Sequence, residues 1–140
     1  MRLRELPTRL ATGAYILHSG LQKRRGTTEM AQGMHGMASG AYPFLGSMEP
    51  VTFLRRLSMA EMAVGGLLLA PFVPTAVAGA ALTGFSGGLV TMYLRTPALR
   101  KPGSIWPSQE GTAISKDSWL LGIGLGLLAD ALVDRRLARD

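Results

Sequence analysis

The chain contains no cysteine, and this absence excludes several kinds of chemistry at once. Without thiols there is no disulfide, no thiol nucleophile and no cysteine-ligated metal. Histidine occurs only twice, and aromatic residues make up only 6% of the sequence. No Ser/His/Asp arrangement, phosphate-binding loop or His-rich metal motif stands out. The sequence therefore predicts neither catalytic residues nor a bound metal.

Charge is also scarce. Charged residues account for 17% of the 140 positions, against roughly 25% in soluble domains. Hydrophobic residues make up 47%, the mean hydropathy is +0.21, and there are 18 glycines. A chain of this length holds one domain. The composition favours an integral membrane domain over a soluble enzyme, because glycine and apolar residues are enriched in membrane helices.

The net charge of +6 comes from cations that occur in separate clusters. The clusters fall at 2–9, 23–25, 55–56, 95–101 and 135–139. Apolar stretches lie between them, which is typical of charges flanking membrane helices rather than of one basic face for nucleic acid. We therefore expect a lipid bilayer as the environment and no nucleic-acid partner. Six cations on one predicted side and nine on the other leave the orientation open.

The longest uncharged run covers Met62–Leu94, which is 33 residues. One membrane span needs about 20 residues, so this run extends beyond a single helix. Pro71 and Pro74 mark the break, because proline cannot continue a helix and pushes the preceding residue towards extended geometry. We predict spans at about 51–70 and 75–95 that are joined by a tight turn.

Two shorter apolar stretches predict further spans at about 8–24 and 118–134. A loop rich in proline and glycine is expected over 96–116. The segment at about 28–42 has methionines at helical spacing but is too polar to span well, which predicts an interfacial helix; as a span, it would raise the count to five. The predicted fold is all-α: one integral membrane domain over 1–140, a four-helix bundle with an additional interfacial helix.

Glycines recur at four-residue spacing in the predicted spans. Gly84 and Gly88 form one such pair, and Gly122 and Gly126 form another. In lipid, small residues at this spacing allow two helix backbones to approach closely, so these four glycines are predicted to pack helices together. The Gly-x-Gly-x-Gly pattern of the last pair lies inside an apolar helix and lacks the strand that a dinucleotide-binding loop requires.

Three ionisable residues lie within or near the predicted spans, namely Glu61, His18 and Asp130. Such groups are costly in lipid and are functional candidates by default. A functional intramembrane polar site formed by these three residues is one interpretation. A structural hydrogen bond between helices, or simple placement at the interface, is the alternative, and we favour it, most of all for Asp130. No resident cofactor is predicted, although a carboxylate and an imidazole would suit a quinone headgroup.

A methionine-rich segment contains Met30, Met34 and Met37, with His35 among them. Thioethers are ligands for soft Cu(I). They also make a flexible apolar face that adapts to lipid or to a partner, and we favour this second interpretation.

Four short segments resemble the DoxX family of small bacterial membrane proteins. Leu17–Lys23 is similar to that family's His-Gly-Leu-x-Lys helix ending, with Ser19 inserted. Tyr42-Pro43-Phe44 matches its proline-containing polar segment. The remaining two segments, 60–69 and 116–122, are similar to its Ala-Glu-x-x-Gly-Gly-Leu-Leu-Leu stretch and to the opening of its last helix.

The resemblance implies four membrane helices in a bacterial plasma membrane and links to respiratory quinone reactions or oxidative-stress complexes. Ser19 and the long loop over 96–116 depart from the family pattern. Our first hypothesis is a non-catalytic accessory subunit of a larger respiratory or redox membrane complex. The alternatives are a quinone-linked membrane oxidoreductase subunit and a small transporter or channel subunit.

Overall fold

A computed structural model describes residues 1–138 of the chain. It contains five helices, α1 (Leu6–Arg24), α2 (Thr28–Ala41), α3 (Pro50–Leu69), α4 (Thr75–Arg95) and α5 (Asp117–Leu137). A single helical turn, Thr112–Ser115, lies in the α4–α5 connection. No strand occurs in this part of the chain. The prediction of an all-α fold is confirmed.

The helix ends follow local sequence signals. Pro50 occupies the first turn of α3, where its missing N–H is not needed. The Thr27 side chain accepts a hydrogen bond from the backbone N–H of Met30 and so caps α2. α3 stops before Pro71, and α4 starts directly after Pro74. Each helix begins and ends within three residues of the bounds expected from the sequence.

Of the helices in the described residues, only α4 is long and apolar enough by composition to cross a membrane. Only 28% of its most apolar window is buried inside the molecule. Most of this apolar surface is therefore not covered by the rest of the protein. α3 has matching length but carries Arg55, Arg56 and Glu61. The arrangement with several spans stays a prediction.

The helices form two closely packed pairs. α1 packs along α3, and α4 packs along α5. The pairs meet mainly through α3 and α4, while α1 and α5 make little direct contact. A small apolar core lies where the pairs meet; its buried members are Ile16, Val64, Leu68, Val73, Ala78, Leu82 and Leu127. Space between the pairs remains at the two ends of the bundle.

Glycine residues allow close backbone contact within both helix pairs, α1 with α3 and α4 with α5. A Cβ atom added to Gly65 in α3 would lie 2.7 Å from the Leu17 backbone nitrogen in α1. A Cβ added to Gly124 in α5 would lie 2.8 Å from the Thr83 backbone nitrogen in α4. The backbones therefore touch directly at these points, because residues without a side chain let two helices approach closely.

The glycines at these two contacts are not the four that the sequence predicts to pack helices together. A Cβ on Gly84, Gly88, Gly122 or Gly126 would meet nothing within 4 Å in the part of the chain described. These four glycines therefore make no close helix contact among the described residues, and their role in packing helices together stays a prediction. Four-residue spacing identifies a row of small residues but not the direction it faces. Gly124 lies two residues from Gly122, roughly 200° around the helix, and faces α4 instead.

A buried arginine holds the connection between α3 and α4. The Arg9 guanidinium is fully buried and donates to four carbonyl oxygens at 2.9–3.1 Å, those of Leu67, Leu68, Ala70 and Val73. Carbonyls in the last turn of a helix have no partner within that helix, and a cation there is favoured by the helix dipole. Arg9 thus fixes the turn through a side chain from α1.

At the same end of the bundle, the N-terminal segment bridges to α5. The Arg4 guanidinium lies 3.0 Å from an Asp130 carboxylate oxygen and 2.6 Å from one of Asp134. Arg2 also forms an ion pair with Asp134. Because α1 and α5 otherwise barely meet, these ion pairs join the two helix pairs at this end.

Alanine substitutions at the neighbouring Gly65 and Gly66 test the close packing of α3 against α1. We expect Gly65→Ala to lower the melting temperature, because overpacking at a close contact typically costs about 1–3 kcal/mol. Gly66 is the matched control, since a Cβ there would meet nothing within 4 Å among residues 1–138. Gly66→Ala should leave stability unchanged or slightly higher, because alanine favours helix. Thermal unfolding followed by circular dichroism measures both; equal effects would contradict the packing described.

Candidate functional site

A cavity of about 280 Å³ lies between the two helix pairs, at the end where α1 finishes and α5 begins. Its size is near the lower end of ligand pockets, which span about 300–1,000 Å³. Every helix and the single helical turn contribute to its wall. The lining residues are Tyr15, Ile16, Ser19, Lys23, Met34, Met37, Ala38, Phe53, Leu57, Glu61, Phe85, Leu89, Met92, Ala113, Ile114, Asp117 and Leu120.

Aromatic rings and thioethers form much of the cavity wall. They belong to Tyr15, Phe53, Phe85, Met34, Met37 and Met92. Helix α2 is thus part of the cavity, where its methionines supply an adaptable apolar surface. His35 does not line it: the His35 ring packs edge-on against Phe53, with ring centroids 5.6 Å apart, and its Nε2 lies 2.8 Å from the Leu45 carbonyl oxygen.

An ion pair forms the polar part of the cavity. The Lys23 ammonium lies 3.0 Å from Glu61 Oε1, and the two side chains are only 15% and 8% exposed. Lys23 Nζ also donates to the Ser19 hydroxyl oxygen at 2.7 Å. Removing one partner of a buried pair typically costs about 3–5 kcal/mol. The pair therefore ties α1 to α3 as well as placing charge in the cavity.

The second carboxylate oxygen of Glu61 is unusual. Oε2 is buried and has no hydrogen-bond partner among the described residues. Leaving a buried acceptor unpaired costs about 1–3 kcal/mol, and most buried polar groups avoid this cost by finding a partner. Since Glu61 lines the cavity, a molecule bound there could supply the missing donor.

Asp117 brings a second carboxylate to the cavity. It is the first residue of α5 and precedes the predicted span 118–134. Burial raises the pKa of Asp117 to about 6; the nearby Glu61 carboxylate also raises it, and the Lys23 ammonium opposes both effects. The cavity therefore holds one ammonium and two carboxylates. Ionised Asp117 leaves the lining with one carboxylate more than its single ammonium, and protonation of Asp117 removes this excess.

The structure separates the three residues of the candidate intramembrane polar site. Glu61 lines the cavity, whereas His18 is exposed on α1 and is not part of the lining. Asp130 lies thirteen residues along α5 from Asp117, roughly 20 Å away. There it accepts a hydrogen bond from Arg4 Nε at 3.1 Å. The groups that accompany Glu61 are Lys23 and Asp117.

Lys23 and Asp117 carried weak sequence signals. Each sits at a helix end within a charged stretch, which is where flanking charges of membrane helices are expected. Helical periodicity is the one sequence feature that indicates an inward-facing Lys23 side chain, because Lys23 lies on the same face of α1 as Ile16 and Ser19. No comparable pattern points to Asp117, whose position depends on how α5 packs.

A second acidic cluster lies at the opposite end of the bundle. Carboxylate oxygens of Glu5, Asp130 and Asp134 lie within 4.8 Å of one another. Protein groups already engage them: the Thr75 hydroxyl donates to Glu5 at 2.5 Å, and Arg4 pairs with both aspartates. These contacts give the cluster a structural role, since its ion pairs hold the helices together at this end of the bundle.

No family model, curated protein or solved structure was found that matches this chain. The functional assignment therefore depends on the cavity. Its distinguishing features are an apolar aromatic wall, a buried Lys23–Glu61 pair with one free carboxylate oxygen, and the nearby Asp117 carboxyl group.

Proposed function

We propose that this protein is a membrane-embedded four-helix bundle that binds a small, largely apolar molecule in the cavity described above. The proposed location is a bacterial plasma membrane. The observation that carries the proposal is the unpartnered, buried Oε2 of Glu61 in the wall of an apolar cavity of about 280 Å³.

The membrane location is supported by the distribution of apolar surface. Large apolar side chains are exposed along the helices, including Leu10, Leu21, Met59, Val77, Leu125 and Leu132. Extensive exposed apolar surface is unusual for soluble monomers and is expected against lipid. The exposed Trp106 and Trp119 lie near the cavity end, and tryptophan is enriched at membrane–water interfaces.

Ligand binding is supported by the incomplete hydrogen bonding of the cavity. A bound molecule with one donor would satisfy Glu61 Oε2 and remove the cost of leaving it unpaired. Its apolar part would be buried against aromatic and thioether groups, which contributes about 25 cal/mol per Å². A small amphipathic molecule meets both requirements.

A quinone-class ring is one such occupant. The Lys23 ammonium could donate to a quinone carbonyl, and a reduced quinol could donate from its hydroxyl to Glu61. In this version Lys23 takes the place that the sequence suggested for His18, which lies outside the cavity. This is the quinone-linked alternative, in which the redox reaction would belong to a partner subunit.

A neutral fluorescent probe tests the proposal. N-phenyl-1-naphthylamine is lipophilic, carries one N–H donor and fluoresces more strongly in apolar surroundings. We expect saturable binding to the protein in nanodiscs, after subtraction of the signal from empty nanodiscs. Met37→Trp should abolish this binding, because Met37 lines the cavity. A short-chain benzoquinone should displace the probe if quinones are the natural occupants.

Met59→Trp is the matched control, since Met59 is 56% exposed and lies outside the cavity lining. It should bind the probe like the wild type. Binding that is unchanged in Met37→Trp would place the probe elsewhere and contradict the proposal, and so would an absence of saturable binding to the wild type.

A second candidate function is that of a non-catalytic accessory subunit in a larger respiratory or redox complex. The exposed Gly84 and Gly122 support it, because nothing in the described chain lies within 4 Å of a Cβ placed there. Such smooth faces suit close packing with helices of a partner. Gentle extraction from the native membrane followed by mass spectrometry should identify partner subunits; migration of the protein alone would contradict this role.

A further inference from the structure

We infer that the cavity prefers a small organic monocation of the tertiary ammonium class, whose single N–H can donate to a carboxylate oxygen. This inference rests on the ligand binding proposed above and names the class of ligand. The juxtaposition that leads to it is an uncompensated carboxylate beside a wall of aromatic rings and thioethers.

The first argument is charge. One lysine and two acidic residues line the cavity, and α2, α4 and the single helical turn contribute no charged lining residue. Lys23 lies 3.0 Å from Glu61 Oε1 and compensates that carboxylate. Asp117 has no second cation in the lining; the neighbouring Lys116 is exposed and not part of it.

The consequence is a site that lacks one positive charge near neutral pH. An unmatched charge in apolar surroundings is costly, and a carboxyl group there avoids the cost by taking up a proton. A bound monocation removes the same cost while Asp117 stays ionised. Cation binding and protonation of Asp117 should therefore compete.

The second argument is the composition of the cavity wall. Tyr15, Phe53 and Phe85 line the cavity, and aromatic rings attract organic ammonium ions through the negative potential of their faces. Met34 and Met37 add polarisable apolar contact. An inorganic divalent cation would instead require several converging oxygen ligands to replace its hydration shell. A lipophilic monocation suits an apolar wall with one excess carboxylate.

The test compares two probes of nearly the same shape. Protonated benzyldimethylamine is cationic and carries one N–H, and isobutylbenzene carries a C–H in place of that N–H. With the protein in phosphatidylcholine nanodiscs at pH 8, we expect the cation to bind roughly tenfold more tightly or better, from cation–π and charge contributions together. At pH 5, with Asp117 protonated, the cation should bind more weakly while the neutral compound is unaffected.

Asp117→Asn should remove most of the preference for the cation and its pH dependence. Asp130→Asn is the matched control, because Asp130 is the same residue type on the same helix but pairs with Arg4 at the opposite end. It should bind both probes like the wild type. The melting temperatures of both variants verify that each is folded.

The outcomes separate this inference from the proposed function. Equal binding of the two probes, or tighter binding of the neutral one, overturns the cation preference and leaves the ligand-binding proposal in place. A preference that survives in Asp117→Asn overturns the assigned role of Asp117. If neither these probes nor N-phenyl-1-naphthylamine binds saturably, both the inference and the proposed function fail.

Discussion

Backbone contact through glycine is the constraint on which the rest of this structure depends. At Gly65 against α1 and at Gly124 against α4, no room remains for even one methyl group. Each contact draws two antiparallel helices together into a rigid pair. Since the pairs meet mainly through α3 and α4, the space beyond that junction is left open and becomes the cavity. Arg9 then fixes the turn between α3 and α4.

The polar groups of the cavity follow from this architecture. α1 and α3 are close enough for Lys23 to form an ion pair with Glu61. Asp117 lies on α5, on the other side of the cavity, and α5 contributes no cation to the lining. Structural explanations account for the ion pair but not for the free Glu61 oxygen or the extra carboxyl group. A bound molecule would account for both, and so the ligand-binding proposal is centred on them.

Much of the fold was predictable because it follows from local signals. An uncharged run broken by two prolines gives two helices, and the all-α class follows from the remaining apolar stretches. Glu61 was identifiable because a carboxylate among apolar residues is unusual. The pairing of Lys23 with Glu61, the capping role of Arg9 and the choice of Gly124 over Gly122 were not identifiable. These depend on which helix faces meet, and one sequence contains no information on pairing between distant segments.

The most direct test is the placement of the bundle in the bilayer, and the absence of cysteine makes it simple. Phe72, in the α3–α4 turn, and Trp106, in the α4–α5 connection, are 85% and 70% exposed. Single variants Phe72→Cys and Trp106→Cys would be treated with a membrane-impermeant maleimide in sealed vesicles of each orientation. We predict that each cysteine reacts from one side only and that the two sides are opposite. Labelling of both from the same side would contradict the membrane-spanning bundle.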